Sequence, residues 1–165
     1  FGSSGWGKPQ NEQAYYKQFT KKYKGIAEWH ESLGEEVLAT KMLTTPTGRQ
    51  FYFPNVTRRK NGTPEYFTKI KNYPVQSVAT GDIVPLILGE IEARLSKMNS
   101  KIVNSVHDSM VIDVHPHEID KVVHIIKDLN NYMLGIIEKQ FKIKMLVPLV
   151  LDVSLGDNWL DQIGV

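Results

Sequence analysis

His107 and Asp108 stand between two apolar runs, Lys101-Ile-Val-Asn-Ser-Val106 and Ser109-Met-Val-Ile-Asp-Val114. Each run is rich in Ile, Val and Met and reads as a buried strand. Two-residue hairpin turns favour Asn-Gly, Asp-Gly or Gly-Gly, because the turn needs positive φ. A His-Asp pair is poor turn chemistry and asks for another reason. That reason is an imidazole and a carboxylate held at the tip of a rigid hairpin, fit for a metal ion or a phosphate. One longer strand containing a polar pair is the alternative. Asn72 and Gln76 form a second pair. Four residues apart, they share a face if the segment is helical, and each amide both donates and accepts. Cations gather at Lys17, Lys21, Lys22 and Lys24, and again at Arg58, Arg59, Lys60, Lys69 and Lys71 beside Tyr66 and Phe67. Basic residues interleaved with aromatics suit a phosphate-tracking surface, and a solvated face accounts for them as well. His115, His117 and His124 with Asp113 do not share one face, and no thiol is present, so a zinc site is disfavoured.

The elements that must position these groups come from one domain-sized chain of 165 residues, long enough to bury a core. With 41% hydrophobic and 23% charged residues, neither disorder nor a membrane class is indicated. No apolar run approaches the roughly 20 residues of a membrane helix, and no signal peptide is visible. The lack of cysteine excludes disulfides and thiolate metal sites and agrees with a reducing compartment. A net charge of +2 is too small to announce a nucleic-acid binder.

Residues 11–33 read as helix, broken at Gly25, with Ala14, Tyr15, Phe19, Ile26 and Trp29 as an imperfect apolar stripe. Glu36–Leu43 and Arg49–Pro54 read as strands around a Thr45-Pro-Thr-Gly48 turn. A polar, basic loop continues to Thr63, with Asn61-Gly62 as a tight turn. Ile83, Leu86, Ile87, Ile91, Leu95 and Met98 mark a helix. It starts near Asp82 if Pro85 lies in its first turn. After the hairpin, Pro116 opens a helix whose stripe runs from Ile119 to Ile137, and Met145–Val153 reads as a last strand. The order predicts an α+β fold with a mostly antiparallel sheet.

Three elements in order, Asn72-Tyr-Pro-Val-Gln76, His107-Asp108 and Gly156-Asp-Asn-Trp159, resemble the C-terminal part of family A DNA polymerases, the bacterial polymerase I and phage replicase family. Any one of them is weak, whereas three at family distances across almost the whole chain are specific. Gly48-Arg49 matches a pair that comes after the same turn in the family, and the resemblance would start the helix over residues 83–98 nearer Gln76, with Pro85 as an internal kink. Phe1-Gly2-Ser3-Ser4-Gly5 resembles the aromatic-Gly end of motif B in phage-type members; a Gly/Ser tag remnant is the alternative. The resemblance implies a polymerase palm, with residues 1–34 as partial fingers and residues 35–165 as the fingers–palm hairpin and the palm.

The resemblance further implies template-dependent nucleotidyl transfer from dNTPs to a primer 3′ end, using two magnesium ions. Asp108 becomes a catalytic metal ligand and His107 a hydrogen-bonding residue at the primer terminus. Asn72 and Gln76 read the minor-groove acceptors that every base pair shows. Arg49 reaches a DNA phosphate, and Phe1 lies against the sugar of the incoming nucleotide. The arginine that family members often carry four residues before the asparagine is Thr68 here, so Lys69 or Lys71 takes over its DNA contact. Ser109 stands where many members have a glutamate, which puts a second motif C carboxylate in doubt. Asp113 and Asp152 are read as structural. Motif A with the other catalytic aspartate, the triphosphate-handling lysine and arginine of motif B and the exonuclease would lie upstream, in a longer or partner chain. Two alternatives come from other classes: a catalytically silent DNA-binding module, or part of a single-subunit RNA polymerase, in which His-Asp-Ser also occurs. Asn72-x-Pro-x-Gln76 favours the DNA enzyme. Phage origin and action in the host cytoplasm go with the phage-type resemblance.

Overall fold

A computed structural model describes residues 9–165. They form α1 (Pro9–Lys22), α2 (Lys24–Thr40), β1 (Met42–Thr44), β2 (Gln50–Tyr52), α3 (Phe67–Gln76), α4 (Val84–Leu95), β3 (Lys101–Val106), β4 (Ser109–Asp113), α5 (Ile119–Phe141), β5 (Ser154–Leu155) and β6 (Ile163–Gly164). Each sheet is a two-stranded ladder, β1–β2, β3–β4 and β5–β6. The fold is α+β, as the element order predicted. The described residues divide into two compact units: one holds those up to Leu43 together with Gln50–Asn72, the other Thr44–Arg49 and Tyr73–Val165.

In the first unit the helix break falls at Tyr23 (φ −117°, ψ 61°) rather than at Gly25, which sits in the first turn of α2. The strand expected over Glu36–Leu43 is a second correction, because α2 continues to Thr40 and only Met42–Thr44 is extended. Leu33, Gly34 and Val37 are buried at helical spacing, and Glu35, Glu36, Leu38 and Ala39 are good helix formers. Gly34 is needed for packing: a Cβ there would lie 3.0 Å from the Phe67 ring and 3.1 Å from Pro64. Lys41, at φ +59°, ends the helix by donating its N–H to the Val37 carbonyl. Leu43, Phe53, Val56 and Ile70 complete this unit's core. The Asn61-Gly62 turn forms as expected, with Gly62 at φ +86° and the Asn61 side-chain oxygen accepting from the Thr63 N–H and hydroxyl.

The helix expected to begin near Asp82 or Gln76 begins at Phe67 and runs to Leu95. Two prolines hid that length. Pro74 lies inside α3, and Pro85 is accommodated because Ser77–Ile83 forms a widened π turn, with Val84 N–H donating five residues back to Ala79 O. Ile83, Ile87, Ile91, Leu95 and Met98 then pack against Val122, Ile126, Leu129, Met133 and Ile137 of α5. Each such burial stabilises by about 1.5–3 kcal/mol. Pro116 opens the chain into α5 through one 3-10 turn, Pro116–Glu118.

Met145–Val153 is not a paired strand, which corrects the last expectation. Ile143, Met145, Leu149, Leu151 and Val153 do face the core at near-alternate positions, yet no strand among the described residues lies beside them to form a ladder. Asn130 of α5 stands in for one: its amide donates to Leu151 O (3.2 Å) and accepts from Leu151 N (2.8 Å). The periodicity reported burial correctly, but a strand also needs a neighbour.

Candidate active site

The hairpin is built as expected. Val106 pairs with Ser109 and Lys101 with Asp113, leaving His107 and Asp108 as the two turn residues. An irregularity between Ile102 and Asn104 places one extra residue, Val103, in β3, which bends a strand and increases its twist. Both tip side chains are exposed. His107 takes the positive φ that the turn demands, +55°, a region unfavourable for a residue with a Cβ. The Ser109 hydroxyl donates to the Val106 carbonyl across the turn at 2.8 Å. The serine found where the family often has glutamate therefore braces the tip.

The other end of the hairpin is fixed by residues that the sequence did not single out. Ser100 is wholly buried. Its hydroxyl donates to Glu118 at 2.6 Å and accepts from the His115 N–H at 3.1 Å. The Glu118 carboxylate also accepts from the backbone N–H groups of Asn99 (3.1 Å) and Ser100 (2.9 Å). These bonds, led by that from the Ser100 hydroxyl, hold the Glu118 carboxyl at about 2, far below the usual range. The start of β3, the end of β4 and the entry to α5 are thereby tied at one carboxylate. No local pattern announces it, since Ser100 and Glu118 are 18 residues apart.

Asn72 and Gln76 stand one turn apart on α3, both exposed. Asn72 lies in the helix interior. Lys69 and Lys71 lie on the same helix, their ammonium groups 5.7 Å and 4.8 Å from the Tyr66 and Phe67 rings. Arg49, at the turn before β2, meets Asp82: Nε and Nη2 lie 3.2 and 2.5 Å from Oδ1, and Thr47 donates to Oδ2 at 2.6 Å. Burial raises the Asp82 pKa, but the bonds from Arg49 and Thr47 outweigh it and the carboxyl is lowered on balance. Phe1 falls outside the described residues.

Asp113 is exposed opposite Lys101, and Asp152 is exposed on the extended C-terminal segment. His115 and His117 lie ring against ring at 5.5 Å. No cluster of three or more potential metal ligands occurs among the described residues. The Gly156-Asp-Asn-Trp159 element builds its own loop. A Cβ on Gly156 would fall 2.5 Å from the Asp161 carbonyl oxygen, and the Asn158 side chain accepts from Leu160 N–H and Asp161 N–H. Trp159 is left 67% exposed.

The sequence profile of DNA polymerase family A matches residues 7–161. The chain is 25% identical over 92% of its length to the thermostable DNA polymerase I of Thermus aquaticus, covering 17% of that protein. It is 22% identical over 98% of its length to DNA polymerase I of Bacillus caldotenax, covering 18%. To DNA polymerase I of Pseudomonas aeruginosa it is 26% identical over 89% of its length, covering 15%. The chain thus spans less than a fifth of the length of these relatives. With a match over nearly all of its residues, it belongs to DNA polymerase family A.

Proposed function

We propose that this chain supplies the motif C hairpin and the DNA-reading helix of a template-dependent DNA polymerase, which transfers nucleotides from dNTPs to a primer 3′ end. The observation that carries the reading is the hairpin tip: a histidine held at unfavourable positive φ beside an aspartate, both turned to solvent on a braced two-stranded ladder. Residues 1–34 are the partial fingers and residues 35–165 the fingers–palm hairpin and palm.

Asp108 offers hard carboxylate oxygens of the kind magnesium takes with several waters retained. One such group fits as a single contributor to the ion's shell, and motif A, elsewhere in a longer or partner chain, gives the second aspartate. Magnesium, when bound, neutralises charge on the triphosphate and stabilises the attacking and leaving oxygens. The rigid hairpin holds the Asp108 carboxylate at one place, so little reorganisation accompanies reaction. His107 hydrogen-bonds the primer terminus and orients it. Asn72 and Gln76 donate to minor-groove acceptors that every correctly paired terminus presents. Lys69 and Lys71 lie near the phosphates. Phe1 packs against the sugar of the incoming nucleotide. Phage origin and action in the host cytoplasm belong to the same reading. No helix among the described residues is long and apolar enough to cross a membrane.

Single-turnover primer extension by the active polymerase containing Asp108→Ala tests this reading. Incorporation is expected to vanish while primer-template affinity stays within a few-fold, because most affinity comes from phosphate contacts elsewhere. Substantial residual incorporation would refute the assignment.

A further inference from the structure

Gln76 leads directly into the widened turn Ser77–Ile83. Such turns recur at functional sites, and one extra residue per turn rotates the helix on one side of it against the helix on the other. Pro85 has no N–H to return to the Gly81 carbonyl four residues back. Arg49 gives that carbonyl a donor from outside the helix, with Nη2 at 3.2 Å. The same guanidinium bonds Asp82, whose side chain is only 9% exposed against 46% for that of Arg49. Arg49 is itself held, its N–H donating to the Thr45 hydroxyl at 3.1 Å and its carbonyl accepting from the Thr45 N–H. Thr45 is buried. An isolated surface ion pair contributes little to stability. This one fixes a geometry, because its planar fork meets a carboxylate and a helix carbonyl at once.

We propose that Arg49 is a positioning residue: with Asp82 it locks the widened turn, and so the register at which Gln76 meets DNA, instead of gripping a phosphate. The proposal rests on the reading of Gln76 given above. Nε and Nη2 are already committed within the protein, and the neighbouring carboxylate neutralises the charge a phosphate would seek.

The test uses the active polymerase that contains this chain. Extension rates from matched and mismatched primers are measured together with the salt dependence of primer-template affinity, and Gln76→Ala gives the reference loss of discrimination. Arg49→Lys and Asp82→Asn are each expected to lower the matched-to-mismatched ratio on the order of tenfold, with the double variant no worse than either single one. Lysine keeps the charge but not the fork, so its failure to rescue marks geometry. The slope of log affinity against log salt should stay unchanged. Thr47→Val, which removes one bond to Asp82 and one between the Thr47 and Thr45 hydroxyls but leaves both charges, should give a partial loss even where the charge variants fold poorly. A slope reduced by about one in Arg49→Met, with Asp82→Asn unaffected, would reveal a phosphate contact and overturn the proposal. A ratio kept in the Arg49→Lys or the Thr47→Val variant would also overturn it. Loss with Gln76→Ala but none with the Arg49 or Asp82 variants overturns the clamp alone. No loss with Gln76→Ala overturns it together with the reading of Gln76.

Discussion

His107 at φ +55° occupies a backbone region that costs an ordinary residue about 1–2 kcal/mol. Glycine would relieve that cost, and an imidazole there fits the role proposed for it at the primer terminus. Gly156 shows the converse, a residue whose lack of a side chain is the requirement. Gly156→Ala places a methyl 2.5 Å from the Asp161 carbonyl oxygen, and the backbone of the loop must move. We expect a loss of about 1–3 kcal/mol, the ordinary cost of overpacking. In hydrogen exchange the Val165 amide, bonded to Val153 O, should lose protection first. A melting temperature and exchange pattern equal to the parent's would show that the loop yields freely. The sequence singled out His107 and Asp108 as odd residue types for a turn, and Asn72 and Gln76 by their four-residue spacing and their place in a family motif. Gly156 and Asn158 were visible as part of a motif, but their task of closing a loop was not.

At the scale of elements, the hairpin depends on the carboxylate at its base. The folded-state pKa of Glu118 is depressed to about 2 from an ordinary 4.5. Its contribution is therefore complete above the ordinary value and is lost as pH falls through that interval. Glu118→Gln should lower the melting temperature near neutral pH, and the gap from the parent should close as pH approaches 2. A gap independent of pH would show that shape, not charge, is what Glu118 supplies. Elements were legible where periodicity was clean, as in β3, β4 and α5. The strand expected over Glu36–Leu43 failed because a short apolar run fits either period, and its neighbours Leu33 and Gly34 settled it as helix. The long helix from Phe67 was obscured by Pro74 and Pro85, and the effect of Pro85 depends on a carbonyl finding Arg49, 32 residues away from Gly81.

Over the whole molecule, large apolar side chains stay open to solvent: Tyr15, Tyr16 and Phe19 on α1, and Leu146, Val147 and Val150 on the unpaired C-terminal segment. If motif A comes from elsewhere, as proposed, one carboxylate hairpin does not assemble a two-metal centre. The 165-residue chain alone should fold, self-associate through its exposed apolar surface, and extend no primer. Light scattering and primer extension on chain purified to homogeneity check both points. Template-dependent extension without a second polypeptide would overturn the split of catalytic groups.

The sequence by itself determined the family, the α+β class, the hairpin with His107 and Asp108 at its tip and the apolar stripe of α5. The family came from motifs that resemble those of known members; the rest comes from local residue type and from periods of two or 3.6, which a linear chain carries openly. Only the tertiary structure decided that Glu118 and Ser100 tie the hairpin base, that Arg49 and Asp82 meet at a widened turn, and that Met145–Val153 lies against the core without a ladder. Each of those depends on which backbone groups lack a local partner, and the partner is chosen by folding across tens of residues.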